Sequence, residues 1–320
     1  MQSEHSQFPV FKLNEFDAEL SKRTSAEDWK RIITFRDQPN FPKALPNYHA
    51  LIGNFFAGKL TLNKAAIEAW RFEMLVYTLY LYDTRDPANP RSGLTLTNLE
   101  KICTIQNCAS PGRVRAVIGI MWIGGFLKRI RSNRDSRIVH FEPTAKFVDM
   151  VEGWNARILQ ILDVVAPGHD LAKCHMDHPR FGWEMRKRGA EDLLSGWKLL
   201  DPFPEVFHFT ARDGGWMLLL HCAHEALRLG NGTHIAPVSL DLAAFGKRYG
   251  VSRSHLRRVL VSAYEAELLT AEPRNGSHVV LASKTLASYL TCMASEFEFF
   301  HRHALATKAA LGINSPSTSG

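Results

Sequence analysis

Residues 240–269 read LDLAAFGKRYGVSRSHLRRVLVSAYEAELL, and this stretch decides the architecture. Leu240 and Asp241 open a short helical segment that ends near Tyr249. Gly250 makes the turn, because a left-handed residue is cheapest as glycine. Ser252 stands as the N-cap of a second helix, whose Leu256, Val259 and Leu260 fall at i, i+3 and i+4 on one face. Glu267 ends that helix. Leu268 to Glu272 reads as a strand, Pro273-Arg274-Asn275-Gly276 as a turn, and His278 to Leu281 as the returning strand.

The same order occurs once before. Leu96 to Ile105 is the short helix and Gln106-Asn107-Cys108 the turn. Ser110 is the cap, with Pro111 at the first helical position, where a missing N–H costs nothing. Val114, Val117, Ile118 and Met121 make the buried stripe, and Gly124-Gly125 stops the helix. Phe126 to Arg131, Ser132 to Ser136 and Arg137 to Phe141 then read as strand, turn and strand. A long amphipathic helix follows each hairpin. Phe147, Val151, Trp154, Ile158 and Ile161 in one match Leu286, Leu290, Met293, Phe297 and Phe300 in the other at a constant offset of 139. Their 4-3-4-3 spacing is either an ordinary core face or a helix-to-helix dimer-type seam.

Helix, turn, helix and hairpin is the winged helix-turn-helix order. The fold class expected is therefore mainly α with small β-hairpin wings: tandem winged helix-turn-helix units with long flanking helices, a pseudo-dimer in one chain. The boundaries follow the pattern. An N-terminal helical segment (1–59) packs on the first unit (60–165), a connector rich in Pro and Gly spans 166–205, the second unit covers 206–306, and 307–320 is a flexible tail.

Bulk properties agree with a globular protein: 320 residues, 45% hydrophobic and 22% charged. The run Val117 to Phe126 is far too short to span a membrane, and the start of the chain lacks a signal-peptide pattern, so a cytoplasmic protein without membrane partners is expected. Five cysteines with no C-x-x-C pair argue against a disulfide scaffold. The net charge of +7 is unevenly spread. Residues 111–140 carry +6 and residues 245–278 carry +3, which leaves −2 for everything else. Two arginine-rich clusters, one in each repeat, have the character of footprints for phosphate backbones.

The candidate contacts to double-stranded DNA come from the exposed faces of these motifs. On the second recognition helix they are Ser252, Arg253, Ser254, His255, Arg257 and Arg258, which lie off the buried stripe. A helix N-terminus favours phosphate, and farther along arginine can offer paired donors to a guanine edge. On the first helix the equivalents are Ser110, Arg113 and Arg115. At the wings, Arg131, Arg134 and Arg137 in the first unit and Arg274 in the second suit the minor groove or phosphates, with Asp135 holding Arg137 by a paired hydrogen bond.

The chain resembles the MarR-type winged-helix transcriptional regulators. The second repeat carries Leu242-Ala243-Ala244-Phe245, Tyr249-Gly250-Val251-Ser252-Arg253-Ser254 and Leu268-Leu269; the first carries Asp135-x-Arg137, Ile138-Val139 and Pro143-Thr144. The resemblance implies transcriptional regulation with a possible small-molecule effector. Two fused units depart from the family's usual one per chain, which favours a monomeric pseudo-dimer over a homodimer. The second wing also lacks the Asp-x-Arg pair and has Gly276-Ser277-His278 instead.

Other motifs weigh less. Gly53 to Lys59 has the spacing of a phosphate loop, but Leu60 replaces the Ser/Thr that would hold magnesium. Cys174, His175, Asp177 and His178 lack a second ligand pair at zinc spacing. His221, His224 and Glu225 lie on one turn of an apolar helix and read as partly buried. No nucleophile elbow, zincin or dinucleotide motif is present, so no catalytic activity, cofactor or metal site is expected. The alternatives are a plasmid-type replication initiator with two winged-helix domains and, third, a metal sensor or enzyme built on Cys174, His175 and His178.

Overall fold

A computed structural model of the chain describes residues 14–66, 68–131, 135, 137–231, 234–273 and 278–313. The fold is mainly helical with small antiparallel strand pairs. In chain order come α1 (Asn14–Leu20), α2 (Ala26–Arg36), α3 (Phe41–Phe56), α4 (Leu60–Ala66), α5 (Ala69–Asp83), α6 (Leu96–Ile105) and α7 (Pro111–Ile123). Strands β1 (Leu127–Arg131) and β2 (Val139–Pro143) follow, then α8 (Ala145–Val165), α9 (Leu171–Asp177), α10 (Phe181–Leu194), α11 (Pro204–Thr210) and α12 (Gly215–Leu229). Strand β3 (Val238–Ser239), helices α13 (Leu242–Tyr249) and α14 (Arg253–Glu265), strand β4 (His278–Val279) and the long α15 (Ser283–Ala310) complete the order. No helix among the described residues is long and apolar enough to cross a membrane.

The pairs α6–α7 and α13–α14 obey the same local rules. Thr95 caps α6 by accepting from the Asn98 amide, and Asp241 caps α13 by accepting from Ala243 and Ala244. Each first helix ends in one left-handed residue, Asn107 (φ 52°) or Gly250 (φ 75°). The amide after it, of Cys108 or Val251, donates back to the carbonyl of Cys103 or Gly246. Helices α7 and α14 are both 13 residues long; α7 buries Val114, Val117, Ile118 and Met121, and α14 buries Leu256, Val259, Leu260 and Ala263. Their exits match as well. Gly125 (φ 71°) and Glu267 (φ 59°) turn left-handed, and the Phe126 and Leu268 amides donate to the carbonyls of Met121 and Ala263.

The hairpins are less alike. Strand β1 pairs with β2 from Leu127 opposite Pro143 to Arg131 opposite Val139, and Thr95 adds a bridge to His140. The returning limb starts at Val139 rather than at Arg137. Asp135 Oδ1 accepts from the Arg137 amide and its carbonyl from the Ile138 amide, which keeps both residues in the turn. In the later hairpin the limbs expected at 268–272 and 278–281 share one bridge, Leu269 to Leu281, while β4 pairs with the two-residue β3. Strand β3 follows Pro237 and stops before Leu240, too short to leave a periodic signal.

Two compact units result. The first, which carries the later repeat, holds residues 14–58, Ile161–Gly168 and Lys198–Phe299. The N-terminal helices thus belong with α11–α14, and not with the 60–165 segment on which the sequence pattern had set them. The cause is the apolar face of α3. Phe41 and Tyr48 pack edge-on to Phe297 with ring centroids at 5.8 and 5.2 Å, and the Tyr48 hydroxyl donates to Glu296 at 2.7 Å. Arg36, almost wholly buried, is held by Asp17 at 2.8 Å and by Thr291 at 3.1 Å.

The second unit, which carries the earlier repeat, holds Lys59–Gln160, His169–Trp197 and residues 300–313. Residues 166–205 are therefore more than a connector. Helix α10 packs along α5 and buries Phe181, Met185 and Ala190. Arg186 lies 3.6 Å from Asp83 and bonds Glu152, and the His175 Nε2 is 3.4 Å from Glu152. Burial pushes the Asp83 carboxyl up to about 6, against the pull of Arg186.

Candidate functional site

The cationic residues singled out in the sequence fall on two faces, one in each unit. In the first unit, α14 turns Arg253, Ser254, Arg257 and Arg258 to solvent, because its stripe at Leu256, Val259, Leu260 and Ala263 is inside. None of these three arginines forms an ion pair among the described residues. Ser252 accepts from the His255 amide at 3.2 Å, so its hydroxyl caps the helix, and it lies 3.2 Å from the Ser254 hydroxyl. His255 departs from the expected outward set. Its ring is half-buried, with Nε2 3.1 Å from the Asp213 carbonyl, which turns the imidazole back onto the body of the unit. Two further cations stand at the end of α13 and were missed: Lys247 and Arg248, both exposed, with the Arg248 guanidinium 5.5 Å over the Tyr249 ring. They follow directly on Phe245 and Gly246, so the signal was an outward-facing basic pair beside the turn.

The face in the second unit is built differently. Helix α7 exposes Arg113 and Arg115 along with Gly112, Ala116 and Trp122. Arg113 stacks over the Trp70 ring at 5.5 Å, and the Arg115 Nε is 2.7 Å from Glu100, so neither projects alone into solvent. Ser110 occupies the N-cap position of α7 without a side-chain capping bond. On the hairpin, Arg131 and Arg137 are exposed, Arg129 lies 5.5 Å over the Trp122 ring, and Lys128 pairs with Glu142 at 3.1 Å. The expected Asp135–Arg137 side-chain pair is replaced by the turn bond from the Arg137 amide to Asp135 Oδ1 at 3.0 Å. That carboxylate shapes the loop and leaves the guanidinium to face outward. Arg134 and Arg274 lie outside the described residues.

Between α7, the hairpin and the loop before α6 lies a cleft of about 660 Å3, whose lining includes Arg91, Arg115, Gly119, Trp122, Arg129 and Arg137. It brings together two of the expected residues, Arg115 and Arg137. Arg91 was not expected, because its Pro- and Asn-rich loop carries no periodicity. The loop is held by hydrogen bonds: Asn98 Nδ2 donates to the carbonyls of Arg91 and Gly93 at 2.8 and 2.9 Å, and Asn89 Oδ1 accepts from the Arg91 amide at 3.0 Å.

The remaining chemistry-bearing groups belong to cores. Residues 53–56, expected to resemble a phosphate loop at most in spacing, form the last turn of α3. His49 and His224 meet edge-on at 4.5 Å, and the His49 Nε2 is 2.5 Å from the Tyr289 hydroxyl. Burial pushes His49 down to about 3, with His224 and His221 adding to the effect, so the ring is neutral. Burial also drives Glu296 up to about 7, although the bond from Tyr48 acts the other way. Cys174 is buried on α9, and no group of three or more His, Cys, Asp or Glu among the described residues is placed to hold a metal ion. No protein-family model matches the chain, and the searches of curated proteins and of solved structures return no match.

Proposed function

We propose that the chain is a sequence-specific, double-stranded-DNA-binding transcriptional regulator that uses two tandem winged helix-turn-helix units, α5–α8 and α12–α15. One observation carries this reading. Two helices of equal length and equal buried stripe each follow the same capped helix and left-handed turn, and each carries arginines on its outward face. A recognition helix in the major groove needs this arrangement: an apolar face to fix it on its own unit and cations to meet phosphates and base edges. The two faces then divide the work. Helix α14, whose Arg253, Arg257 and Arg258 form no ion pair among the described residues, reads bases. The hairpin of the other unit, with Arg129, Arg131 and Arg137, supplies sequence-independent grip. Regulation, as against binding alone, rests on the resemblance to MarR-type regulators.

Fluorescence anisotropy with labelled genomic duplexes tests the reading. Several phosphate contacts imply a loss of affinity by orders of magnitude between about 50 and 200 mM salt. Absence of duplex binding at the lower salt would refute it.

A further inference from the structure

The cleft beside α7 holds an exposed indole that groove reading does not use. Trp122 is 47% exposed there, and the Arg129 guanidinium covers its ring at 5.5 Å. Gly119 widens the helix side of the cleft, since a Cβ at that position would meet nothing within 4 Å. Arg115 is tied to Glu100, but Arg91, Arg129 and Arg137 form no ion pair among the described residues. Three uncompensated guanidinium groups match more than one negative charge, and the indole matches a flat partner. A volume of about 660 Å3 is in the range of ligand-sized clefts, about 300–1,000 Å3, and too small for a duplex. Within a duplex, moreover, bases are stacked on one another and offer the indole no face. A strand with unpaired bases has both features in repeat: flat rings that stack on aromatic side chains, joined through phosphates that arginines hold.

We propose that this cleft binds single-stranded nucleic acid, with one unpaired base stacked on Trp122 and flanking phosphates held by Arg91, Arg129 and Arg137. The inference rests on reading the second unit's cationic face as a nucleic-acid face, and not on the duplex site assigned to α14. A free nucleotide would satisfy the indole, but three arginines spread over a loop, a strand and a turn fit a chain of phosphates better.

Anisotropy of the full chain with a labelled oligothymidylate of about twelve nucleotides, and in parallel with a labelled duplex, tests this. The wild-type protein should bind both. Trp122→Ala should weaken the single strand on the order of tenfold and the duplex clearly less, and Trp122→Phe should keep most of the single-strand affinity. Arg91→Ala, at an exposed loop position, gives a second variant whose folding is not at issue and should weaken the single strand in the same direction. Duplex binding without single-strand binding would overturn the inference and leave the duplex reading standing. Single-strand binding without duplex binding would do the reverse. Equal losses on both substrates from Trp122→Ala would make the cleft part of the duplex site and overturn the inference. So would displacement of the labelled strand by a mononucleotide as readily as by unlabelled oligothymidylate.

Discussion

Helices α7 and α14 can be laid residue on residue. Val114 falls on Leu256, Val117 on Val259, Ile118 on Leu260 and Met121 on Ala263, and all eight are buried. Between these positions the two helices share little. Gly112, Ala116, Gly119 and Trp122 on α7 stand where α14 has Ser254, Arg258, Val261 and Tyr264. The inner face is constrained by packing and keeps its pattern; the outer face answers to whatever lies beyond the protein and is open to diverge. A shared stripe therefore establishes a common architecture, and the outward residues decide what each copy does. The largest test strikes the stripe. Ile118→Ala and Leu260→Ala remove matched side chains that are 3% and 0% exposed, and each should cost about 2–5 kcal/mol in urea unfolding. If one is severe and the other harmless, the two helices do not play the same structural part.

The next test strikes the outer faces. Arg257 forms no ion pair among the described residues, whereas Arg115, its counterpart on α7, is bound to Glu100 at 2.7 Å. Arg257→Ala should cost about 1–3 kcal/mol on the preferred duplex and much less on a scrambled one. Arg115→Ala should cost little discrimination, and Arg137→Ala should weaken all duplexes alike while lowering the salt slope by about one. Titration of the three variants against both duplexes reads these outcomes. Loss of preference from Arg137→Ala, with only general weakening from Arg257→Ala, would reverse the division of labour.

A third test contrasts the cores. Glu296 in the first unit is held up at about 7 by burial and Asp83 in the second at about 6. A carboxyl that keeps its proton when folded stabilises fully below its unfolded pKa, about 4.5 for Glu296. It loses that contribution as pH rises through the folded value, at up to about 1.4 kcal/mol per pH unit. The buried His49, held down at about 3, acts in the opposite sense and destabilises as pH falls below about 6.5. Between pH 6 and 7 this loss at Glu296, with a smaller part from Asp83, runs against the gain from His49 and from His301 and His303, both held down by burial at about 4. Across that window the pH slope of the urea midpoint should shift toward rising stability in Glu296→Gln, whose carbonyl still accepts from Tyr48, and should shift less in Asp83→Asn. The converse result would place the titrating carboxyl in the other unit.

What was legible in the sequence follows the same line between inner and outer faces. The stripes, the N-cap at Ser252, the turn at Gly250 and the helix stop at Gly124-Gly125 all depend on neighbours within a few residues, and so a linear reading finds them. Partners far along the chain were not legible. Nothing in Tyr48 or Phe41 announces Phe297, and nothing in Arg186 announces Asp83 and Glu152, so a linear reading places neither the N-terminal helices nor α10. On the outer face, Arg257 and Arg258 followed from helical phase alone. Arg91 did not, because its place beside the hairpin is set by Asn98 rather than by any period. His255 had the right phase and still turned inward, drawn by the Asp213 carbonyl across the turn.

The smallest expected effect tests the two turns. Asn107 and Gly250 do the same work at φ 52° and 75°, each followed by an amide that closes the helix end. An L-residue in the left-handed region costs roughly 1–2 kcal/mol, and asparagine is one of the few side chains that visit it routinely. Glycine avoids the strain but gives the unfolded chain more freedom to lose, which offsets part of the gain. Asn107→Gly should therefore stabilise by a few tenths of a kcal/mol at most, and Gly250→Asn should destabilise by a similar amount. Gly250→Ala should cost more, about 1 kcal/mol, since alanine has no short polar group to bond locally. Melting temperatures compared under one set of conditions can resolve these differences only between paired variants. Equal responses to the Asn/Gly exchanges, with opposite signs, would show that the two turns are interchangeable. A clear loss from Asn107→Gly would mean that the Asn107 side chain does something at its turn that Gly250 does not.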